Sequence, residues 1–164
     1  IWLSPYNGEK WVVSEGEDKY RRALYTYWKR TAPYPSMTTF DAPSREFCQS
    51  RRIRTNTPLQ ALVTLNDPVY MEAAERLAKK MCGSSKMLDD QLSQGYYALT
   101  FKKVSPEKLG ALKKVYGDAL AEFRSDTSRV GEFLTSGAER SPEIAAMALT
   151  ANVLLNLDEV ITKE

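Results

Sequence analysis

After residue 57 apolar side chains recur at steps of three and four along most of the chain, the period of a helix with one buried side rather than the two-residue alternation of a strand. Leu59, Leu62, Val63 and Leu65 form one apolar face just beyond Pro58. After Pro68, the residues Tyr70, Ala74, Leu77, Ala78 and Met81 predict a second helix ending near Cys82-Gly83. Leu88, Leu92, Tyr96 and Leu99 predict a third over about 86–101, and Leu109, Leu112, Tyr116, Leu120 and Phe123 line a fourth that begins at Ser105-Pro106-Glu107. A short helix restarts at Ser125 or Asp126 and passes Phe133 and Leu134 to Gly137. The last begins at Ser141-Pro142-Glu143 and runs through Ile144, Ala148, Leu149 and Val153 to about Leu155, leaving 156–164 as its continuation or a frayed tail.

The helix starts repeat one device. Thr57-Pro58 and Asp67-Pro68 each place a side-chain oxygen where it can accept from orphan backbone amides, followed by a proline whose φ suits the first helical position. Ser105-Pro106 and Ser141-Pro142 have the same form.

Before residue 57 the pattern changes. Ile1-Trp2-Leu3 and Trp11-Val12-Val13 flank Pro5-Tyr6-Asn7-Gly8, the arrangement of two short strands around an Asn-Gly turn. Residues 14–19 are polar and contain Gly16, a loop. Over 20–30, Ala23, Tyr25 and Tyr27 alternate with Leu24, Thr26 and Trp28, which predicts a strand. Pro33, Pro35 and Pro43 interrupt 31–50, which reads as a long, ordered, extended loop of a kind that is uncommon inside compact domains unless it carries function. The expected fold is mainly α: a bundle of four to five antiparallel helices (57–164) with a small amino-terminal β-hairpin or extended aromatic region (1–56), within one domain spanning 1–164.

Length and composition agree with a globular domain. At 164 residues, 43% hydrophobic and 27% charged, the chain can bury roughly 70% of its unfolded surface. No apolar stretch approaches the roughly 20 residues of a membrane span, and no signal-peptide pattern opens the chain. The opening Ile1-Trp2-Leu3-Ser4-Pro5 reads as mid-domain sequence, so the chain is expected to be a carboxyl-terminal fragment of a larger protein.

Charge is segregated. The net value of +2 hides a basic stretch, 19–54, that holds nine of the 23 Lys and Arg but two of the 21 Asp and Glu, with seven of the aromatics. Tyr20-Arg21-Arg22, Trp28-Lys29-Arg30 and Arg51-Arg52-Ile53-Arg54 together offer cations beside rings. Such a surface can hold phosphate and bases, a sulfated or carboxylated glycan, or simply its own internal ion pairs. The near-balanced overall charge and a pI of about 8.5 place nucleic acid last among these.

Missing residue types restrict the chemistry. The chain has no histidine, which removes Ser-His and Cys-His pairs, His-containing zinc sites and the C-x-x-C-H haem motif within it. Cys48 and Cys82, 34 positions apart, are either a disulfide worth about 3 to 4 kcal/mol in the chain-entropy model or two buried thiols. Asp41 and Glu46, five residues apart beside Arg45, are the one pair of loop carboxylates suited to acid and base work of the glycosidase kind, although loop carboxylates near arginines are more often anchors. Asp89-Asp90 and Asn156-Leu157-Asp158-Glu159 read as helix-surface charges, and no metal site is expected.

The run YRRALYTYWKRTAPYPSMTTFDAPSREFCQSRRIRTNTPLQALVTLNDP closely resembles the planctomycete-type PSD domain family, whose function is unknown, and the closing ALTANVLLNLDEVITKE resembles the end of the same family. The resemblance implies a carboxyl-terminal position in a large exported protein, downstream of a cytochrome c-like segment, and so a periplasmic or cell-envelope setting with haem c in the parent and no cofactor in this fragment. It implies a non-catalytic docking or ligand-binding module whose partners are the upstream domains of the same protein or an anionic glycan. The motif positions it points to are Arg22, Trp28, Lys29, Arg30, Asp41, Arg51, Arg52 and Arg54. The competing expectation is part of a carbohydrate-active hydrolase or lyase using the loop carboxylates.

Overall fold

The computed structural model describes residues 12, 14–28, 33–43, 48, 50–51, 55–134 and 140–162. The chain divides into two compact units, Ile1–Thr55 and Asn56–Glu164.

The second unit is helical throughout its described part. Thr57 caps a helix over Pro58–Asn66 (α2, the first unit holding a short α1, Pro35–Thr39), and the cap is reciprocal: Thr57 Oγ1 accepts from the Gln60 amide at 3.4 Å and Gln60 Oε1 accepts from the Thr57 amide at 3.1 Å. Asp67 Oδ1 accepts from the Val69 amide to start α3, Pro68–Ser84. Leu88–Thr100 is α4 and Pro106–Ser125 is α5, the latter capped by Ser105 Oγ on the Lys108 amide. A short α6, Ser128–Phe133, follows an Asp126 whose Oδ1 accepts from the Ser128 amide and hydroxyl. Ser141 caps α7, Pro142–Leu155, and a final turn, α8, covers Asp158–Ile161. Every proline-led start expected from sequence is therefore in place, and residues 156–162 hold a separate turn rather than an extension of α7.

The core is organised around α7. Ala145, Ala146, Met147, Ala148, Thr150, Ala151, Asn152 and Leu154 are all buried and Leu149 and Val153 half-buried, so most of the circumference of this helix is enclosed, as suits a helix with so little polar surface. It packs chiefly on α3 and α5, with α4 against both α3 and α5. Ala74 and Ala78 keep the α3 surface low where Met81 completes it. The α3–α4 approach is tight enough that a Cβ on Gly95 would lie 2.5 Å from Met81 Sδ. Leu92 and Tyr96 from α4, Leu112, Ala119 and Phe123 from α5, and Val130 and Leu134 around α6 close the remaining sides, with Phe123 and Phe133 rings 5.4 Å apart.

One expectation fails within this unit. The face of α2 that is buried carries Gln60 and Thr64, while Leu59, Leu62 and Leu65 are exposed. Hydrogen bonds rather than apolar area select the inward face. Thr64 Oγ1 donates to Asn156 Oδ1 at 2.6 Å, and Asn152 Nδ2 donates to the Thr64 carbonyl at 3.2 Å. Just ahead of the helix, Asn56 Nδ2 donates to Asp158 Oδ1 at 2.6 Å. A leucine turned inward would leave these polar groups buried without partners, which costs more than an exposed leucine does.

In the first unit, the hairpin expected over 1–13 lies outside the described residues apart from Val12. The strand expected over 20–30 is not formed where that segment is described: Gly16–Tyr20 and Ala23–Tyr25 are 3₁₀ turns, and no strand occurs among the described residues. The amides of Arg21, Tyr25 and Thr26 donate to the carbonyls of Asp18, Arg22 and Ala23. Leu24, Tyr25 and Tyr27 are all exposed, so alternation buries neither face and offers no gain for a ladder. Inside the segment expected to be an extended loop lies α1, Pro35–Thr39. Cys48, exposed, and Cys82, half-buried beside the core, form no disulfide with each other.

Candidate ligand-binding surface

The first unit is held together by local devices. Helix α1 starts on Pro35 and stops with a paired reversal: the Ala42 amide donates to the Met37 carbonyl at 2.8 Å and the Asp41 amide to the Thr38 carbonyl at 3.3 Å. This is the Schellman arrangement, with Asp41 in the left-handed position at φ 57 and Pro43 barring continuation. Aspartate tolerates that conformation better than most side chains. Its carboxylate then reaches across the sequence, for Oδ2 accepts from the Thr55 amide at 2.9 Å and from the Thr55 hydroxyl at 2.7 Å. Asp41 thus closes the base of the loop that carries Arg51.

The exposed chemistry lies on the two 3₁₀ turns. Gly16 enters the first at φ 61, a backbone state reserved largely for glycine. Lys19 Nζ sits 4.8 Å from the centre of the Tyr20 ring, and the Arg22 guanidinium carbon 5.9 Å from the centre of the Tyr25 ring. Both are within the range of cation–π attraction, which at exposed sites is worth about 0.5–1 kcal/mol. Arg21 Nε donates to Asp18 Oδ1 at 2.7 Å, so the middle cation of the run is engaged by a carboxylate. Tyr20, Leu24, Tyr25 and Tyr27 all show substantial surface to solvent.

Of the positions singled out from sequence, Arg22 is exposed against Tyr25, Trp28 is half-buried, Asp41 is half-buried against Thr55, and Arg51 is exposed. Lys29, Arg30, Arg52 and Arg54 lie outside the described residues, as does Glu46. The arrangement brings Arg22 together with a tyrosine and Asp41 with a threonine. Sequence reasoning named Tyr20 only within the run Tyr20-Arg21-Arg22, and passed over Tyr25 and Lys19 as site residues and Thr55 as the partner of Asp41. The adjacency of Lys19 to Tyr20 and the three-residue step from Arg22 to Tyr25 were the available signals.

The remaining carboxylates named from sequence are engaged within the helical unit. Asp89 pairs with Lys113 at 2.8 Å and Asp90 Oδ2 accepts from Ser85 Oγ. Glu159 Oε1 accepts from Lys108 Nζ at 2.7 Å and from Tyr96 Oη at 2.9 Å. The Lys108 hydrogen bond holds the Glu159 carboxyl below its ordinary value, and the Glu159 bond in turn raises the Lys108 ammonium. Haem c has no attachment motif in this chain, which contains no histidine and no closely spaced cysteine pair.

No curated protein matches the chain and no solved structure does. A family model does, over residues 3–116, and its description is a protein of unknown function (DUF1553). The match takes in the first unit, α2 to α4 and the first half of α5, whereas the closing run from α7 onward lies beyond it. The chain belongs to the PSD1 family of proteins of unknown function.

Proposed function

We propose that the chain is a non-catalytic recognition module whose first unit binds an anionic glycan. The observation that carries this reading is the pair of cations laid on exposed tyrosine rings, Lys19 on Tyr20 and Arg22 on Tyr25. An aromatic face offers apolar contact to the C–H side of a sugar ring. The cation beside it meets a sulfate or carboxylate on the same residue, with charge-assisted hydrogen bonds from the guanidinium. Arg51, exposed on the loop that Asp41 closes, supplies a further cation. A catalytic role draws less support, because Asp41 Oδ2 already accepts two hydrogen bonds from Thr55.

The setting follows from the family resemblance: the periplasm or cell envelope, as the carboxyl-terminal part of a parent protein whose upstream domains include a cytochrome c-like segment. Those domains are the proposed protein partners. The test is affinity for a panel of sulfated, uronic-acid and neutral polysaccharides, measured by calorimetry at two salt concentrations. Sulfated or acidic chains should bind and salt should weaken them, with Arg22→Ala and Tyr25→Ala each lowering affinity roughly threefold to tenfold. Equal binding of neutral chains, or unchanged affinity in both variants, refutes the assignment.

A further inference from the structure

The turn between α4 and α5 carries apolar surface that the bundle does not bury. Phe101 follows the last residue of α4 with φ 57 and ψ 18, the left-handed state that usually falls to glycine or asparagine at a helix end. Its ring is 74% exposed. Tyr97, one turn earlier and also half exposed, holds that ring edge-on, with centroids 6.2 Å apart and planes at 76°. Stacking of this kind offsets part of the backbone cost while both rings face solvent.

Two exposed lysines, Lys102 and Lys103, come directly after. The Lys102 amide donates to Thr100 Oγ1 at 3.2 Å, which sets the chain's direction as it leaves the helix. No salt bridge among the described residues engages Lys102 or Lys103, and Glu159, which feels Lys102, accepts its hydrogen bonds from Lys108 and Tyr96. Lys102 and Lys103 are therefore placed to meet negative charge from outside the chain.

We propose that this tip docks on an anionic lipid surface. Phe101 and Tyr97 enter the headgroup layer, where rings with one apolar and one wet side are favoured, and Lys102 and Lys103 meet the lipid phosphates, each cation contributing to attraction by the negative surface potential. Among the described residues no cation lies over the Phe101 or Tyr97 ring, unlike the pairs on the 3₁₀ turns, so the tip offers apolar rings and cations side by side rather than a ring-and-cation pair for one sugar; an apolar protein groove would have no use for the lysines. The combination fits a surface that is apolar beneath and anionic above. The tip belongs to the second unit, shares no residue with the 3₁₀ turns of the first and does not depend on the glycan reading.

Co-sedimentation of the full chain with vesicles of phosphatidylcholine, with and without phosphatidylglycerol, tests the proposal. Binding is expected to the phosphatidylglycerol vesicles alone and to weaken with salt. Phe101→Gly suits the backbone at that position, so the thermal midpoint should hold or rise while vesicle affinity falls roughly tenfold. The double variant K102Q/K103Q should lower affinity roughly 30-fold without changing the fold. Absence of vesicle binding by the unaltered chain overturns the proposal. So does undiminished binding of Phe101→Gly, which would assign the lysines to a soluble polyanion, and so does loss of vesicle binding in Arg22→Ala with the tip variants unaffected.

Discussion

The two units build helices by different means. In Asn56–Glu164 each long helix contributes buried side chains, and α7 is buried over most of its circumference. Among the described residues of Ile1–Thr55 none is buried, yet the segment forms a helix, two 3₁₀ turns and a clamped loop. A five-residue helix such as α1 cannot persist through propensity alone, because nucleation outweighs what so few hydrogen bonds return. Proline at its start, the left-handed Asp41 at its end and the Asp41–Thr55 bonds supply what burial does not. Structure held by caps and side-chain bonds leaves its rings and cations facing water. Structure held by burial encloses most of its apolar groups, although Phe101, Tyr97 and the outer leucines of α2 stay exposed.

The largest expected effect falls where burial dominates. Leu154 on α7 is fully enclosed, so Leu154→Ala should lower unfolding free energy by about 2–5 kcal/mol. Arg22→Ala, in the unit where no described residue is buried, should stay within about 0.5 kcal/mol of the parent. Urea titrations followed by circular dichroism decide between these values. Comparable losses in both variants would break the contrast, since they would place Arg22 in a cooperative core.

A smaller effect isolates capping from burial. Thr57→Ala removes the acceptor for the Gln60 amide and half of a reciprocal cap, at an expected loss of about 1 kcal/mol. Serine at the same position should restore most of it. A loss as large as that of Leu154→Ala would mean that the cap also holds Gln60 and Thr64 in their buried positions.

How much of this could be read from sequence depended on whether the deciding interaction was local. The starts at Pro58, Pro68, Pro106 and Pro142 were legible because an oxygen-bearing residue and a proline sit side by side, and the buried sides of α3, α4 and α5 followed from apolar spacing. The buried side of α2 was not, because its choice rests on Asn152 and Asn156, nearly a hundred residues further along the chain. The strand expected over 20–30 failed for a related reason. Alternation of aromatics signals a strand only if one face finds a partner, and here Tyr25 is matched to its neighbour Arg22 instead. Helix α1 was missed although its signals were present: Pro35 at the first position, an aspartate where the backbone turns left-handed, and Pro43 just beyond. In the candidate surface, Arg22 was named from sequence but its ring was not, and Asp41 was named as a ligand contact where the structure shows a loop clamp.

That clamp gives a prediction confined to the first unit. Asp41→Ala removes two hydrogen bonds to Thr55 and replaces a residue that accepts a positive φ with one that resists it. Amide exchange at Thr55 should accelerate strongly, while the amides of Ala78 and Ala148, in the buried helices α3 and α7, keep their protection. Asp41→Asn, which retains an acceptor and tolerates the same backbone, should lie between. Equal acceleration at Ala148 would show that the clamp is part of the same cooperative structure as the core, against the division drawn above.

The smallest expected effect concerns charge on the rim of the helical unit. Lys108 and Tyr96 both donate to Glu159, and the Lys108 bond is the main reason the carboxyl titrates below its ordinary 4.5. A carboxyl whose folded value is depressed adds stability above its unfolded value, and that contribution disappears as pH falls from about 4.5 through the lower folded value. Lys108 behaves in the opposite sense: its value is raised above 10.5, so its contribution is complete below 10.5 and is lost as pH climbs beyond the folded value. Glu159→Gln keeps an acceptor for Tyr96 but removes the charge. The difference in urea midpoint between parent and variant should therefore be greatest across the neutral range and shrink at both extremes, and added salt should reduce it, since both side chains are partly exposed. Glu143, lowered by Arg124, and Asp126, lowered by Ser128, give both proteins a common acid slope that cancels in the comparison. A difference that stays constant as pH falls would mean that the geometry of α8, and not the charge on Glu159, joins that last turn to α4 and α5.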